Sequence, residues 1–456
     1  MRSRLLTGAA IAVATALAVT GCSTSSGSSS KTIKVVYKQN PNNGNKVQAN
    51  YLAPMVKAFE KANPGTHVQL VPVTASDSDY FTKIDLLMKS PATAPDLVYE
   101  DTAVINSDIA AGLLKPMDPY VSTWSDWAQF EDVSKGSVKG FSDGKTYGVP
   151  DGTDTRGIWY NKQIFAKAGI SVPWQPKTWD DVLAAAKQVK AKVPGVAPLN
   201  LYSSVASGEA SSMQGMEMLL YGTPPARDSQ YDWTKKKWVT ASQGFKDALD
   251  FVHSVYGGGL GPSLQQALGA NFSDTVGTQL LPQGKLAMDI DGSWMPNNWL
   301  PSGGAPWKDW SSVMGVAPMP TQHGQGSGKI SMSGGFAWSI PAKAKNPDLA
   351  FKFLKSIQTE SAAAKWDVVN AQIPVRKDVA ADPTFIKGLP SNKFFTDLVP
   401  DTFYRPSLPA YNQVSTATQK AMEAVASGQS SAEKAASAYD NEVAAAVGSG
   451  STVKGS

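Results

Sequence analysis

One cysteine, Cys22, and three histidines, His67, His253 and His323, are all that 456 residues offer of the softer metal ligands. A lone cysteine excludes a disulfide within the chain and a thiolate cluster. The histidines stand far apart with no ligand spacing, so no zinc site is expected. Charge of either sign is also scarce. Lys and Arg number 42 against 38 Asp and Glu, a net charge of +4. Without Arg2 and Arg4 that falls to about +2, too little for the basic face that nucleic-acid binding needs. After residue 19 no apolar run approaches bilayer-crossing length, and there is no internal repeat. Hydrophobic content of 42% with 18% charged residues describes a folded chain rather than a disordered one. The length implies two or three domain-sized units.

What is abundant is Trp (13), Tyr (14), Gly (39) and Pro (30). Indole rings suit sites that hold flat, amphipathic ligands, although most single tryptophans belong to cores. The N-terminus reads as an address. Met1 to Arg4 is positive, Leu5 to Val19 is a small-residue apolar run, and Val19-Thr20-Gly21-Cys22 follows. This resembles the bacterial lipoprotein signal, which implies removal of residues 1–21 and lipidation of Cys22. More than one acyl chain gives stable membrane anchoring. Residues 22–30 then form a flexible Ser/Gly tether.

In the mature chain, strand and helix patterns alternate. Ile33–Tyr37 and Val68–Val73 read as strands, with a helix between them bearing Leu52, Met55, Val56 and Phe59 on one stripe. Pro95 to Tyr99 reads as a third strand, followed beyond its C-terminal end by Glu100 and Asp101. That rhythm predicts an α/β layer with a largely parallel sheet, in which ligands bind beyond strand C-termini. Asn40 joins Glu100 and Asp101 on that rim. Phe141 to Lys162, FSDGKTYGVPDGTDTRGIWYNK, places a polar segment with Asp151, Asp154 and Arg156 between two strands. Charged loops on a rigid sheet are where function usually sits. Further on, Glu209 lies in a Ser/Gly-rich polar stretch, Ser203–Gly215. The strand Leu286–Ile290 leads into Asp291-Gly292-Ser293-Trp294. Ile330–Ile340 is extended and interrupted by Gly334-Gly335, where backbone can approach a ligand. Trp338 alternates inward there and is expected in the core.

The stretches DGKTYGVPDGTDTRGIWYNK, GKLAMDIDGSW, GKISMSGGFAWSIPA with NPDLAFKFLKSI after it, AQIPVRKDV and RPSLPAY occur in an order that resembles the extracellular solute-binding proteins of sugar ABC importers, the maltose-binding type. The resemblance covers about residues 33–447. It implies an α/β, type II periplasmic-binding-protein-like fold, with two α/β lobes joined by a hinge crossed more than once. Lobe one is expected at 31–152 plus 330–372, and lobe two at 153–329 plus 373–456. It implies a monomer without cofactor or metal, a carbohydrate ligand in the interlobe cleft, and permease subunits as partners. Asp154, six positions before Tyr160, matches a ligand-binding acid, as does Asp101, with Glu100 beside it. Trp294 matches the family's stacking tryptophan. Asn40, Arg156, Glu209, Asp291, Gly334, Gly335, Arg376, Arg405 and Tyr411 complete the expected set. Carboxylates and Arg suit sugar hydroxyls, and aromatic rings suit their C–H faces. Two alternatives remain. An extracellular glycoside hydrolase would use Asp101 and Asp154 as its carboxylate pair, and a binding protein would take a non-sugar solute such as a polyol or peptide.

Overall fold

The computed structural model describes residues 31–39, 46–75, 77–224 and 230–455. The signal segment, Cys22, the tether and Asn40 lie outside them. Two sheets organise the chain. In the first, the strand Thr32–Gln39 lies at the centre of parallel pairings, with Val35 opposite Leu70 on one side and Leu97 on the other. The strand Gly335–Ser339 then joins Leu97–Asp101 antiparallel, with Trp338 opposite Tyr99, and Val149–Thr153 closes the edge. β-Branched and aromatic residues of these strands meet helices Val47–Ala62 and Pro347–Ile357 in one core. Ile33, Leu52, Phe59, Leu97, Trp338, Phe353 and Leu354 are all buried there.

The second sheet runs Met314–Ala317, Arg156–Asn161, Leu286–Gly292, Ala197–Asn200. Ile158 faces Ile290 in an antiparallel pair, and Leu199 faces Met288 in a parallel one. Helix Trp179–Lys192 packs on this layer. Its start is set by a capping box in which Thr178 and Asp181 satisfy each other's backbone N–H groups. Two closing helices, Tyr411–Ala426 and Ala432–Val447, complete the core around Phe245 and Tyr439, whose rings stack 4.0 Å apart.

Between the sheets the chain crosses through short extended pieces. Only Asp154 and Thr155 separate the last residue of one sheet's edge strand from the first strand of the other. The strand Lys329–Ser333 pairs with Thr402–Tyr404 and leads through Gly334 into the first sheet. Ile373 pairs with Thr153 beside them.

Three expectations are corrected in detail. The polar stretch DGTDTRG is not a loop, because all but Asp154 and Thr155 belongs to strands. Its polar groups are buried and matched, Asp151 by Gln358, Asp154 by Arg156, and Thr153 and Thr155 by backbone carbonyls, so strand geometry costs them no hydrogen bonds. Glu100 and Asp101 do not follow their strand but are its last two residues. The Ser/Gly-rich stretch is helical from Gly208 to Tyr221, since burial on nearly every side overrides its weak propensity.

Asp96 ties the first unit together. Its carboxylate accepts from the backbone N–H groups of Lys34 (2.9 Å), Lys345 (2.9 Å) and Asn346 (2.7 Å). Asp96→Ala leaves three part-buried donors without their partner. It is expected to lower unfolding stability by about 3 kcal/mol. Urea titration of the two proteins checks this, and a midpoint unchanged by the substitution contradicts it.

Candidate ligand-binding cleft

A cavity of about 280 Å³ lies between the two sheets, near the small end of the range for small-molecule sites. Residues of both halves line it. From the first sheet come Tyr37, Lys38, Tyr99, Asp101, Gly335 and Phe336. From the second come Arg156, Asp291 and Trp294, and from the crossings Asp154 and Arg405.

Its floor is a frame of buried charges. Arg156 pairs with Asp154, and its Nη1 also donates to the Met332 carbonyl at 2.9 Å. Its Nε donates to Gln214 at 3.3 Å. The Arg405 Nε stands 2.5 Å from Glu209 Oε1, an ion pair whose angle is too poor for a hydrogen bond. Gly334 lets the two guanidinium groups pass close to the chain. A Cβ there would stand 3.1 Å from Arg405 Nη1 and 3.3 Å from Arg156 Nη2.

Trp294 forms the apolar wall. It follows the strand Leu286–Gly292 and is half-buried, with the Arg156 guanidinium 4.8 Å from its ring centre. The ring lies on Gly292, where any Cβ would come within 2.0 Å of it. The spacing Gly-Ser-Trp is therefore required by contact.

Acid side chains here are held unusually protonated. Burial pushes Asp101 up to about 6 although Arg405 pulls it down, and pushes Asp291 up to about 6 against the pull of the Gly292 N–H. Glu217, behind the frame, is pushed up to about 7 by burial. Burial lowers Lys38 to about 8, with Asp274 and Asp101 opposing the shift.

Of the residues singled out in the sequence, Asp101, Asp154, Arg156, Asp291, Trp294, Gly335 and Arg405 meet on this wall. Others stand off it. Glu209 serves Arg405 from behind, and the Tyr411 hydroxyl sits 2.7 Å from Glu209 and 2.9 Å from Glu217. Glu100 is fully buried beside Asp108, away from the cavity. Arg376 spends its donors on Asp378 (2.6 Å), Asp126 (3.2 Å) and the Gln358 carbonyl (2.5 Å). The Gly334 carbonyl accepts from Thr153 Oγ1 at 2.8 Å. Sequence reasoning missed Lys38, Gln214, Asp274, Phe336 and Gln372, which also line the cleft. Lys38 directly follows the first predicted strand, a position that was a usable signal. Gln214 and Asp274 sit in helices whose inward faces show only in the folded chain. The wall also has a polar bridge, Asn297 Nδ2 donating to Asn370 at 2.6 Å. Among the described residues no group of His, Cys, Asp or Glu is arranged to hold a metal ion.

Two α/β units with a charged, indole-walled cavity at their crossing define a two-lobed clamp for a small solute. The chain belongs to the bacterial extracellular solute-binding protein family, whose model matches residues 43–364. A putative binding protein of Brucella abortus is 25% identical over 83% of this chain and 85% of its own length. The galactooligosaccharide-binding protein of Bacillus subtilis is 24% identical over 93% of each. In structure, an ABC transporter solute-binding protein from Thermotoga lettingae bound with α-D-tagatose superposes with a TM-score of 0.78. It is 23% identical and covers 92% of this chain and 100% of its own.

The raised acids set a pH dependence. Unfolded, they titrate near 4. Folded, they hold their protons to about 6 or 7. Between about pH 4 and about pH 7 the folded state therefore binds more protons than the unfolded one, and stability falls as pH rises. The ligand-free melting temperature is expected to drop from about pH 4.5 to about pH 7.5, with a shallower drop for Glu217→Gln. A melting temperature that climbs across this window contradicts the assignment.

Proposed function

We propose that this protein captures a neutral sugar or short oligosaccharide in the cleft and delivers it to the permease of an ABC importer. The observation that carries the reading is the wall itself, a half-exposed indole beside carboxylates and guanidinium groups drawn from both sheets. Trp294 covers a C–H face of the sugar, at low entropy cost because its ring is already braced. Asp101, Asp154, Asp291, Arg156 and Arg405 take hydroxyls by charge-assisted hydrogen bonds. Both Arg side chains are already matched by carboxylates, so neither guanidinium is left over for an acidic ligand. The names of relatives, among them a galactooligosaccharide-binding protein and a tagatose complex, support the ligand class.

On this reading the lobes are 31–152 plus 330–372 and 153–329 plus 373–456, and ligand stabilises their closed arrangement by touching both. The permease recognises that closed form. Cys22, once lipidated, holds the protein on the outer face of the membrane through the 22–30 tether. The sugar leaves the cleft with its bonds intact.

A thermal-shift screen with galactobiose, tagatose and maltose tests the reading, since a ligand at 100 times its Kd adds about 2.7 kcal/mol. At least one sugar is expected to raise the melting temperature, and no shift with a wider sugar panel sinks the proposal. For the sugar that binds, Trp294→Ala is expected to raise Kd about tenfold or more, about 1.4 kcal/mol per decade, without loss of fold. Calorimetry giving unchanged affinity removes Trp294 from the site. Release of reducing ends during incubation with oligosaccharides is the outcome that favours a hydrolase.

A further inference from the structure

A second cavity, about 330 Å³, opens on the other side of the partition formed by Ser333, Gly334 and Arg405. Arg405 lines both cavities. The second one is walled by two large rings that the fold leaves open to solvent. Phe141 is 52% exposed and Trp233 is 51% exposed, among the described residues the only tryptophan in that state. Phe141 comes from the segment that precedes the first sheet's edge strand. Trp233 comes from the turn between the strands Tyr231–Asp232 and Lys237–Thr240, at the far side of the crossing.

The Trp233 ring is packed against a neighbour, and the Phe141 backbone is anchored. Tyr231 meets Trp233 edge-on, with centres 4.9 Å apart. The Phe141 N–H donates to Asn106 Oδ1 at 2.7 Å, and the Asn106 amide donates to the Lys139 carbonyl (3.2 Å) and Ser407 Oγ (3.3 Å). Asn106, Ser407, Ser333 and Tyr404 give it hydroxyl and amide groups, and Lys139 and Arg405 also line it. No carboxylate lines it, and Glu209 meets the charge of Arg405. Exposed large apolar side chains gathered in one concave place mark a binding site rather than ordinary surface. Aromatic rings beside hydroxyl and amide groups are the chemistry that takes a sugar ring. The shared arginine makes this place continuous with the cleft.

We propose that this crevice is a second, weaker saccharide site, with Trp233 and Phe141 as its stacking platforms. It rests on the reading of the cleft as a sugar site. Because its walls come from both halves of the chain and share Arg405 with the cleft, occupancy of one site alters affinity at the other, and linkage makes that effect reciprocal.

Calorimetric titration of the full chain tests this, using the sugar that raises the melting temperature in the screen above. Wild type is expected to bind in two steps, one tight and one weak. Trp294→Ala weakens the tight step and keeps the weak one. The double variant Phe141→Ala/Trp233→Ala, both at exposed positions, abolishes the weak step and keeps a tight step, its Kd shifted no more than about threefold. A single step in wild type, or a weak step that survives the double variant, overturns the second site. Absence of the tight step from wild type overturns the cleft reading instead.

Discussion

The structure depends on how two guanidinium groups are kept in the interior at the crossing between the sheets. A buried cation without a partner costs several kcal/mol. Here Arg156 is matched by Asp154 and Gln214, and Arg405 by Glu209. The absence of a side chain at Gly334 makes room for both. The partners belong to different parts of the chain. Asp154 is in the crossing, and Glu209 and Gln214 are on the buried helix Gly208–Tyr221. The charge frame thus fixes where the two α/β units meet, and it leaves polar groups pointing into the gap. On the proposed reading a sugar would add hydrogen bonds to groups already oriented, so that little ordering would remain to be done on binding.

Behind the frame, groups that stand off the cavity wall do the positioning. Tyr411 closes on Glu209 and Glu217, and Glu209 holds Arg405. Arg376 does a parallel service, joining the segment around Asp126 to the chain leaving helix Glu360–Val369. A polar residue with this many protein partners is a structural joint. That is why Arg376 and Tyr411 stand off the wall despite having the right chemistry for it.

Much of the fold was legible because local signals agreed with the tertiary result. The helix stripe of Leu52, Val56 and Phe59 and the alternation at Trp338 each follow from one stretch of chain. Trp294 was legible for the same reason, since a strand end, a glycine and an aromatic ring fall within a few residues. What sequence could not supply was which side of a strand a carboxylate faces. Glu100 and Asp101 are neighbours on one strand, so they point to opposite faces. One lines the cleft and the other is sealed against Asp108. Nor could it show that a Ser/Gly-rich stretch becomes a helix bearing Glu209, Gln214 and Glu217, because that depends on burial by distant segments.

The central claim is that a sugar draws two rigid halves together across the Arg156–Arg405 frame. The most direct measurement is the distance between spin labels on Leu86→Cys and Leu264→Cys, exposed positions on the two units, in a chain lacking Cys22. Saturating sugar is expected to shift the distance distribution to a shorter, narrower one. A distribution unchanged by a sugar that calorimetry shows to be bound contradicts the account.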